Sequence, residues 1–352
     1  MNTPLLRERD TPAVLDDARS RIKPVLRGAV DSLPPTMRLV TDYHFGWRDR
    51  DGLPVPGDPW SGKAMRPALV LLAAAAVTDP ALEPRTDGAV LRAAVAVELV
   101  HNFSLVHDDV MDNDALRRHR ETVWKVFGVP AAILAGDALL ALANQVLTDD
   151  ATAVAPAAVT MLNEAVQELI EGQSLDVSFE VRGEVALEEC AAMADKKTAA
   201  LMACACGLGA LLAGGSPEQV RLLRQFGTHL GLAFQLADDL LGLRGDPRRT
   251  GKPANNDLWT RKKSLPVVAA LTSDTDAGRE LAALYARTEP WEHADVERAL
   301  VLVEEAGGVA WARDEAARRV EQALAGLREA GARPDAAADL AGLLRLSARR
   351  DH

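Results

Sequence analysis

The sequence is short of several residues that would have pointed to familiar chemistries. Only three cysteines occur in 352 residues, Cys190, Cys204 and Cys206, and all sit among alanines. Their spacing gives neither a disulfide framework nor a zinc site, so they read as small core residues. Aromatic residues make up 4%, and β-branched alternation is scarce, which argues against a sheet-based core. Positive charge is not in excess: the formal net charge is −11, which excludes a nucleic-acid binder relying on phosphate neutralisation. No glycine-rich phosphate loop of the nucleotide-binding type appears. No uncharged apolar run reaches the length of a membrane span, so no transmembrane segment is expected. The charged start MNTPLLRERD lacks the apolar stretch of a signal peptide, and a cytoplasmic protein is the expectation.

What remains is alanine, leucine and long helical periodicity. With 48% hydrophobic residues, the composition predicts an all-α protein, a single large helical bundle over residues 1–352 with residues 1–10 frayed. Helices are expected at Val14–Leu33, Arg66–Val77, Asp87–Asp109, Ala131–Leu147, Pro156–Ser174, Leu187–Ala213, Pro217–Leu243 and Leu265–Leu271. Pro34-Pro35 reads as a stop, and Phe45–Gly62 as a loop by its Gly, Pro and Asp content.

Two acidic clusters interrupt this apolar background. The first is LVHDDVMDNDALRRHR, Leu105–Arg120. Residues three, four and seven apart share a helical face, so His101, Ser104, Asp108 and Asp112 form one stripe with Asp109 at its margin. Carboxylates four apart repel, and burying one without a partner is costly. Something positive must therefore meet that face. The second is GLAFQLADDLLGLRGD, where Gly231, Gln235, Asp238, Asp239 and Gly242 share a face. One such cluster could be a solvated helix end; two, each set in apolar sequence and followed by basic residues, point to a ligand. Two aspartate-bearing helices facing one cavity would offer oxygen donors without His or Cys, which suits Mg²⁺ bridging carboxylates to phosphates.

Basic residues recur at four places that could hold phosphate: Lys63 and Arg66, Arg117 and Arg118, Lys197 next to Thr198, and Lys252 with Lys262 and Lys263. Arginine offers a fork of donors and lysine a point charge. Arg120, Lys196, Arg248 and Arg249 are expected to be solvated. Metal-binding carboxylates with scattered cations suggest a diphosphate ester as ligand.

The ordered set GKAMRP, ELVHNFSLVHDDVMD, RRHR, KT, FQLADD and GKPANNDL…KKSLP resembles the trans-polyprenyl diphosphate synthases, most closely a short-chain geranylgeranyl diphosphate synthase, over about residues 62–271. The resemblance implies an all-α isoprenoid-synthase fold with a central cavity, a homodimer, and three Mg²⁺ ions with substrate bound. It implies that Asp108, Asp109, Asp112, Asp238 and Asp239 bind metal. It assigns Arg117, Lys197 and Lys262 to the allylic diphosphate, and Lys63, Arg66, His101 and Arg118 to isopentenyl diphosphate. Thr198 and Gln235, with Lys197, are implied at the reacting carbons. In the family the length gauge precedes the first motif, here Phe103 and Ser104, and favours a C20 product over C15. The helical wheel itself points Ser104, not Phe103, along the aspartate face.

The resemblance is incomplete at two places. Gly242 stands where the family usually carries a third aspartate, with Asp246 one turn further on; and the lysine of SGKAMRP lacks the family's second preceding glycine and following basic residue. Two other readings are open. A class I terpene cyclase shares the fold, but in NDLWTRKKS the position needing Glu is Ser264. A catalytically weak subunit of a heteromeric prenyl synthase is kept open by Gly242.

Overall fold

The structure is a computed structural model, and it describes residues 10–57, 62–78, 87–148, 154–244 and 255–348. Lys252, Asp246, Arg248 and Arg249 lie outside the described residues.

Helices account for nearly all regular structure, as the composition predicts. They are α1 (Thr11–Asp31), α2 (Pro35–His44), α3 (Met65–Val77), α4 (Asp87–Met111), α5 (Val123–Phe127), α6 (Val129–Thr148) and α7 (Ala155–Val181). Next come α8 (Leu187–Ala194), a π turn (Asp195–Ala199), α9 (Ala200–Leu212) and α10 (Pro217–Arg244). The last are α11 (Asn256–Trp259), α12 (Leu265–Leu271), α13 (Asp276–Tyr285), α14 (His293–Glu305), α15 (Gly308–Glu329) and α16 (Pro334–Ala348). Strands β1 (Leu116–Arg117) and β2 (Arg120–Glu121) form one small hairpin.

The chain forms two compact units, each assembled from three separate stretches of sequence. Unit 1 takes residues 1–164, 204–223 and 330–340; unit 2 takes 165–203, 224–329 and 341–352. In unit 1, α4 packs along α6 and against α3, and α1 packs on α3 and α4. Ala93, Ala94, Val95, Ala96, Val97, Leu99 and Val100 are all fully buried, so α4 is enclosed on most sides rather than along one stripe. In unit 2, α12 sits among α13, α14 and α15, with Val267, Leu281, Val296 and Leu302 in one core cluster.

Three elements differ from the sequence reading. Pro34-Pro35 does not only end a helix; Pro35 opens α2, because a proline at the first helical position loses no hydrogen bond. The hairpin at 116–121 is too short and too uniformly charged to show strand periodicity. Leu187–Ala213 is not one continuous α-helix but is broken by the π turn. Arg120 is not simply solvated: it lies over the Tyr43 ring at 4.6 Å and donates to the Tyr43 carbonyl.

Two helices, Gly88–Met111 and Val129–Thr148, are long and apolar enough to cross a membrane by length and composition. Most of the first is buried inside the protein, and Asp137 interrupts the second. All three cysteines are free and buried, as expected of core residues.

Candidate active site

In unit 1 the site is built on the C-terminal end of α4. The helix closes at Met111, one residue before Asp112, yet the Asp112 amide still donates to the Asp108 carbonyl at 2.8 Å. Asp112 is therefore carried one turn beyond Asp108 and is exposed. The deeply buried carboxylate is Asp109, at 2% exposure, which the helical wheel placed only at the margin. The cation that the sequence demanded is Arg117, whose Nε donates to Asp109 Oδ1 at 2.8 Å. Burial raises Asp109 to about 6, against the pull of Arg117 and with help from Asp114 and Asp108.

Arg117 reaches Asp109 because the chain reverses at once after α4. Arg117 pairs with Arg120 across the hairpin, leaving Arg118 and His119 as its two-residue turn. Both adopt left-handed backbone, φ 52° and 63°. Such turns usually use Asn or Gly, so this one carries strain at a residue assigned to substrate.

Deeper along α4 lies a polar group that the sequence reading missed. Glu98 is 4% exposed, and Asn102 donates to its Oε1 at 3.2 Å and its carbonyl at 2.8 Å. The Asn102 Oδ1 lies 2.9 Å from His44 Nε2. Burial raises Glu98, and the charges of Arg66 and Arg118 oppose that rise. Burial, then Arg66, Arg118 and Arg117, hold His101 well below the ordinary histidine value, so it is neutral near pH 7. Glu98 was legible in one respect: it is the only acidic residue between Asp87 and Asp108, and it shares a face with His101 and Asn102. Lys63 is exposed just before α3, and Arg66 is half-buried in its first turn. Phe103 is buried and meets His107 edge to face at 4.9 Å, while Ser104 donates to the His101 carbonyl.

In unit 2 the π turn sets Lys197 and Thr198. A π insertion needs neighbours that tolerate close backbone approach, and glycine provides it on two helices. A Cβ at Gly172 of α7 would lie 2.3 Å from the Lys197 amide nitrogen, and one at Gly231 of α10 would lie 2.5 Å from Ala199 Cα. Lys197 Nζ donates to Asp176 Oδ2 at 2.6 Å. Asp176 was not singled out in the sequence: it is one of five acidic residues on α7, with Glu164, Glu168, Glu171 and Glu180. Burial works to raise it, but Lys197 and Lys262 leave it below the usual carboxylate range.

Thr198 donates to Gln235 Oε1 at 2.6 Å, and Gln235 Nε2 donates to Asp239 Oδ1 at 2.7 Å. The other oxygen of Asp239 accepts from the Leu265 amide at 2.9 Å, at the first turn of α12. Asp239 is 5% exposed and burial raises it to about 7, with Lys262 opposing; its neighbour Asp238 is exposed. Lys262 is pressed by desolvation to lose its proton. Asp176, Asp257, Asp239 and Asp238 outweigh that and hold it above the ordinary lysine value. Lys263 instead donates to the Phe179 carbonyl, and Lys196 pairs with Glu171 at the surface. Ser264, where a cyclase motif needs Glu, is 1% exposed and precedes α12.

Among the described residues, no three His, Cys, Asp or Glu side chains converge closely enough to hold an ion alone. Mg²⁺ is compatible with that, because it keeps waters and takes one or two carboxylates together with phosphate oxygens. The donor set is all oxygen, and cations that could meet a diphosphate accompany it in each unit.

An all-α fold with adjacent aspartates near the ends of apolar helices, each set answered by lysine or arginine, is that of an isoprenoid synthase. The comparisons with known proteins agree. A family model described as polyprenyl synthetase matches residues 59–303. The (2E,6E)-farnesyl diphosphate synthase of Mycobacterium tuberculosis (strain ATCC 25618 / H37Rv) is 50% identical over 321 residues, 90% of this chain and 87% of that protein. The geranylgeranyl diphosphate synthase of the same organism is 45% identical over 342 residues, 96% and 94% of the two chains. The crystal structure of a polyprenyl synthetase from Streptomyces coelicolor A3(2) matches with a TM-score of 0.89 at 44% identity, over 96% of this chain and 99% of that one. The chain belongs to the polyprenyl synthetase family, and it is a prenyltransferase.

Proposed function

We propose that the chain condenses an allylic diphosphate with isopentenyl diphosphate to give a short-chain trans-prenyl diphosphate, geranylgeranyl (C20) ahead of farnesyl (C15). The observation that carries this is the pairing of a carboxylate with a cation in each unit, the buried Asp109 with Arg117 and the half-buried Asp176 with Lys197. Such pairs keep charged groups ready in apolar surroundings until an anionic ligand and its counterions replace them. Mg²⁺, three ions with substrate bound, would supply positive charge to the departing diphosphate.

The residues divide the work. Asp108, Asp109, Asp112, Asp238 and Asp239 are the metal-side carboxylates. Arg117, Lys197 and Lys262 hold the allylic diphosphate, and Lys63, Arg66, Arg118 and neutral His101 hold isopentenyl diphosphate. The allylic C–O bond breaks with both electrons leaving on the diphosphate. The double bond of isopentenyl diphosphate then attacks the allylic carbon, and a proton passes to the departing diphosphate. Thr198 and Gln235 present oxygen to the developing cation, while apolar helix walls exclude water. The C20 preference rests on Phe103 beside the small Ser104.

The whole chain is proposed to act as one catalytic domain, since neither unit is a continuous stretch of sequence. A cytoplasmic homodimer is proposed with it. Val129, Ile133 and Leu134 of α6 are large apolar residues left exposed, which supports self-association along that helix.

The test is incubation of the purified protein with isopentenyl diphosphate, Mg²⁺ and dimethylallyl, geranyl or farnesyl diphosphate, with chromatography of the dephosphorylated products. A C20 alcohol is expected. Hydrocarbon released from an allylic diphosphate alone would move the chain to the cyclases, and silence with every substrate would favour a weak subunit of a heteromer.

A further inference from the structure

The turn at Arg118 and His119 keeps a backbone that both residues disfavour, at φ 52° and 63°. Strain of this kind persists only where the surroundings fix it. The fixing groups gather at the last two residues of α2, Tyr43 and His44. Successive residues on a helix point about 100° apart, so the two side chains reach different neighbours.

Tyr43 grips the returning strand of the hairpin. Its hydroxyl donates to the Glu121 carbonyl at 2.8 Å. Its own carbonyl accepts from Arg120 Nη1 at 3.1 Å, and the Arg120 guanidinium lies 4.6 Å over its ring. Phe127 meets that ring edge to face at 5.2 Å, which fixes its plane. His44 faces α4 instead, with Nε2 2.9 Å from Asn102 Oδ1. The Asn102 amide nitrogen donates to Glu98, so its oxygen accepts and His44 Nε2 donates. One residue thus joins α2 to α4, and the one before it joins α2 to the hairpin. At the foot of the hairpin, Thr122 Oγ1 and Trp124 Nε1 both donate to the Asp114 carbonyl.

The two arginines depend on this frame unequally. Arg117 is anchored by Asp109, whose Oδ1 lies 2.8 Å from two of its nitrogens. Arg118 stands in the turn itself, so the course of the hairpin sets its place. Tyr43, His44, Asp109, Arg117, Arg118 and Arg120 line one cavity.

We propose that Tyr43 is a positioning residue for isopentenyl diphosphate: it holds Arg120 and Glu121 so that the strained turn presents Arg118 to that diphosphate. Tyr43 and Arg120 act through the turn rather than on the substrate. This role rests on the assignment of Arg118 to isopentenyl diphosphate given above.

The test is steady-state kinetics of the full-length protein with each diphosphate varied in turn, beside thermal midpoints. Tyr43→Phe keeps the ring and loses only the hydroxyl. It is expected to raise the KM for isopentenyl diphosphate about fivefold, the scale of one neutral hydrogen bond. The allylic KM and kcat should stay within about twofold, since Arg117 keeps its own anchor. Arg120→Lys retains the charge but not the flat fork, and should raise the same KM alone. A merely structural role would instead lower the thermal midpoint and leave the two KM values in step. Equal rises in both KM values, or an unchanged isopentenyl KM in either variant, would overturn the proposal. Arg118→Gln in the same assay separates two failures. If it raises the isopentenyl KM and Tyr43→Phe does not, the positioning role alone is wrong. If it too leaves that KM unchanged, the assignment of Arg118 fails and the role of Tyr43 falls with it. Absence of turnover in the unaltered protein would overturn both the functional reading and this role.

Discussion

Arg117 meets the buried carboxylate of Asp109 with two nitrogens, Nε and an NH2 group, each 2.8 Å from the same oxygen. The pair resolves how an apolar helix can carry aspartates inward: the chain turns back at once and delivers the counter-charge. Removing only the cation leaves an uncompensated charge, whereas removing the charge leaves a tolerable amide. Arg117→Ala is expected to lower stability by about 3 kcal/mol, and Asp109→Asn by clearly less. Urea unfolding of both variants at pH 8, where Asp109 is ionised, makes the comparison. Equal losses would mean that the pair packs rather than neutralises.

Asp108 offers the opposite expectation. It is only half-buried, and it repels Asp109. Asp108→Ala should therefore keep its far-ultraviolet circular dichroism and its thermal midpoint. Its turnover should fall by about a hundredfold or more, the scale seen when one electrostatic contact to a transition state is removed. A variant that unfolds would show that Asp108 supports the fold rather than the chemistry.

These two residues also mark what the sequence could tell. The demand for a cation near Asp108 and Asp109 followed from charge alone, and the RRHR stretch offered candidates. Which aspartate would be buried did not follow, because helix phase at the last turn depends on where α4 stops, and it stops before Asp112. Glu98 and Asp176 escaped notice for different reasons. Glu98 is a single carboxylate bonded to Asn102 one turn on, which a helical wheel does not tell from an ordinary polar position, and the partner of Asp176 is distant in sequence, Lys197 lying 21 residues away. The helices themselves were legible from periodicity, apart from the π turn, since the glycines that permit it lie on other helices.

That π turn yields its own prediction. Gly172→Ala and Gly231→Ala each push a methyl group into backbone within 2.3–2.5 Å of its Cβ. Backbone cannot rotate away as a side chain can, so each substitution should cost about 1–3 kcal/mol. Lys197 and Thr198 sit on the turn itself, so activity should fall beyond what the stability loss explains. Denaturation midpoints beside kcat, measured well below the melting temperature, separate the two effects. Full activity in either variant would show that the turn relaxes without displacing Lys197.

Phe103 tests the product gauge. Its ring is 5% exposed and packs on His107, a role that core packing alone would explain. If the ring also closes the substrate tunnel, Phe103→Ala should add one or more five-carbon units to the product while the stability cost stays near the about 3–5 kcal/mol of a buried aromatic truncation. Product chromatography decides. An unchanged product with the same loss of stability would leave Phe103 as core.

His44 gives the pH dependence. Burial lowers its pKa to about 4, against the Asn102 hydrogen bond that favours the charged ring, while the charges of Arg118, Arg117 and Arg120 lower it further. In the unfolded chain it titrates at about 6.5. As pH falls from 6.5 towards 4, the unfolded state takes up a proton that the folded state refuses. The stability His44 contributes is therefore present above pH 6.5 and lost as pH falls through 4, amounting to up to about 3 kcal/mol. His101 is lowered in the same direction and adds to the loss, so the His44 share must be taken by difference. His44→Gln, whose amide can still reach Asn102, should lose less stability between pH 7 and pH 4.5 than the unaltered protein does. Urea midpoints at the two pH values measure it, and parallel losses in the two proteins would place the acid sensitivity elsewhere, with His101 the next residue to replace.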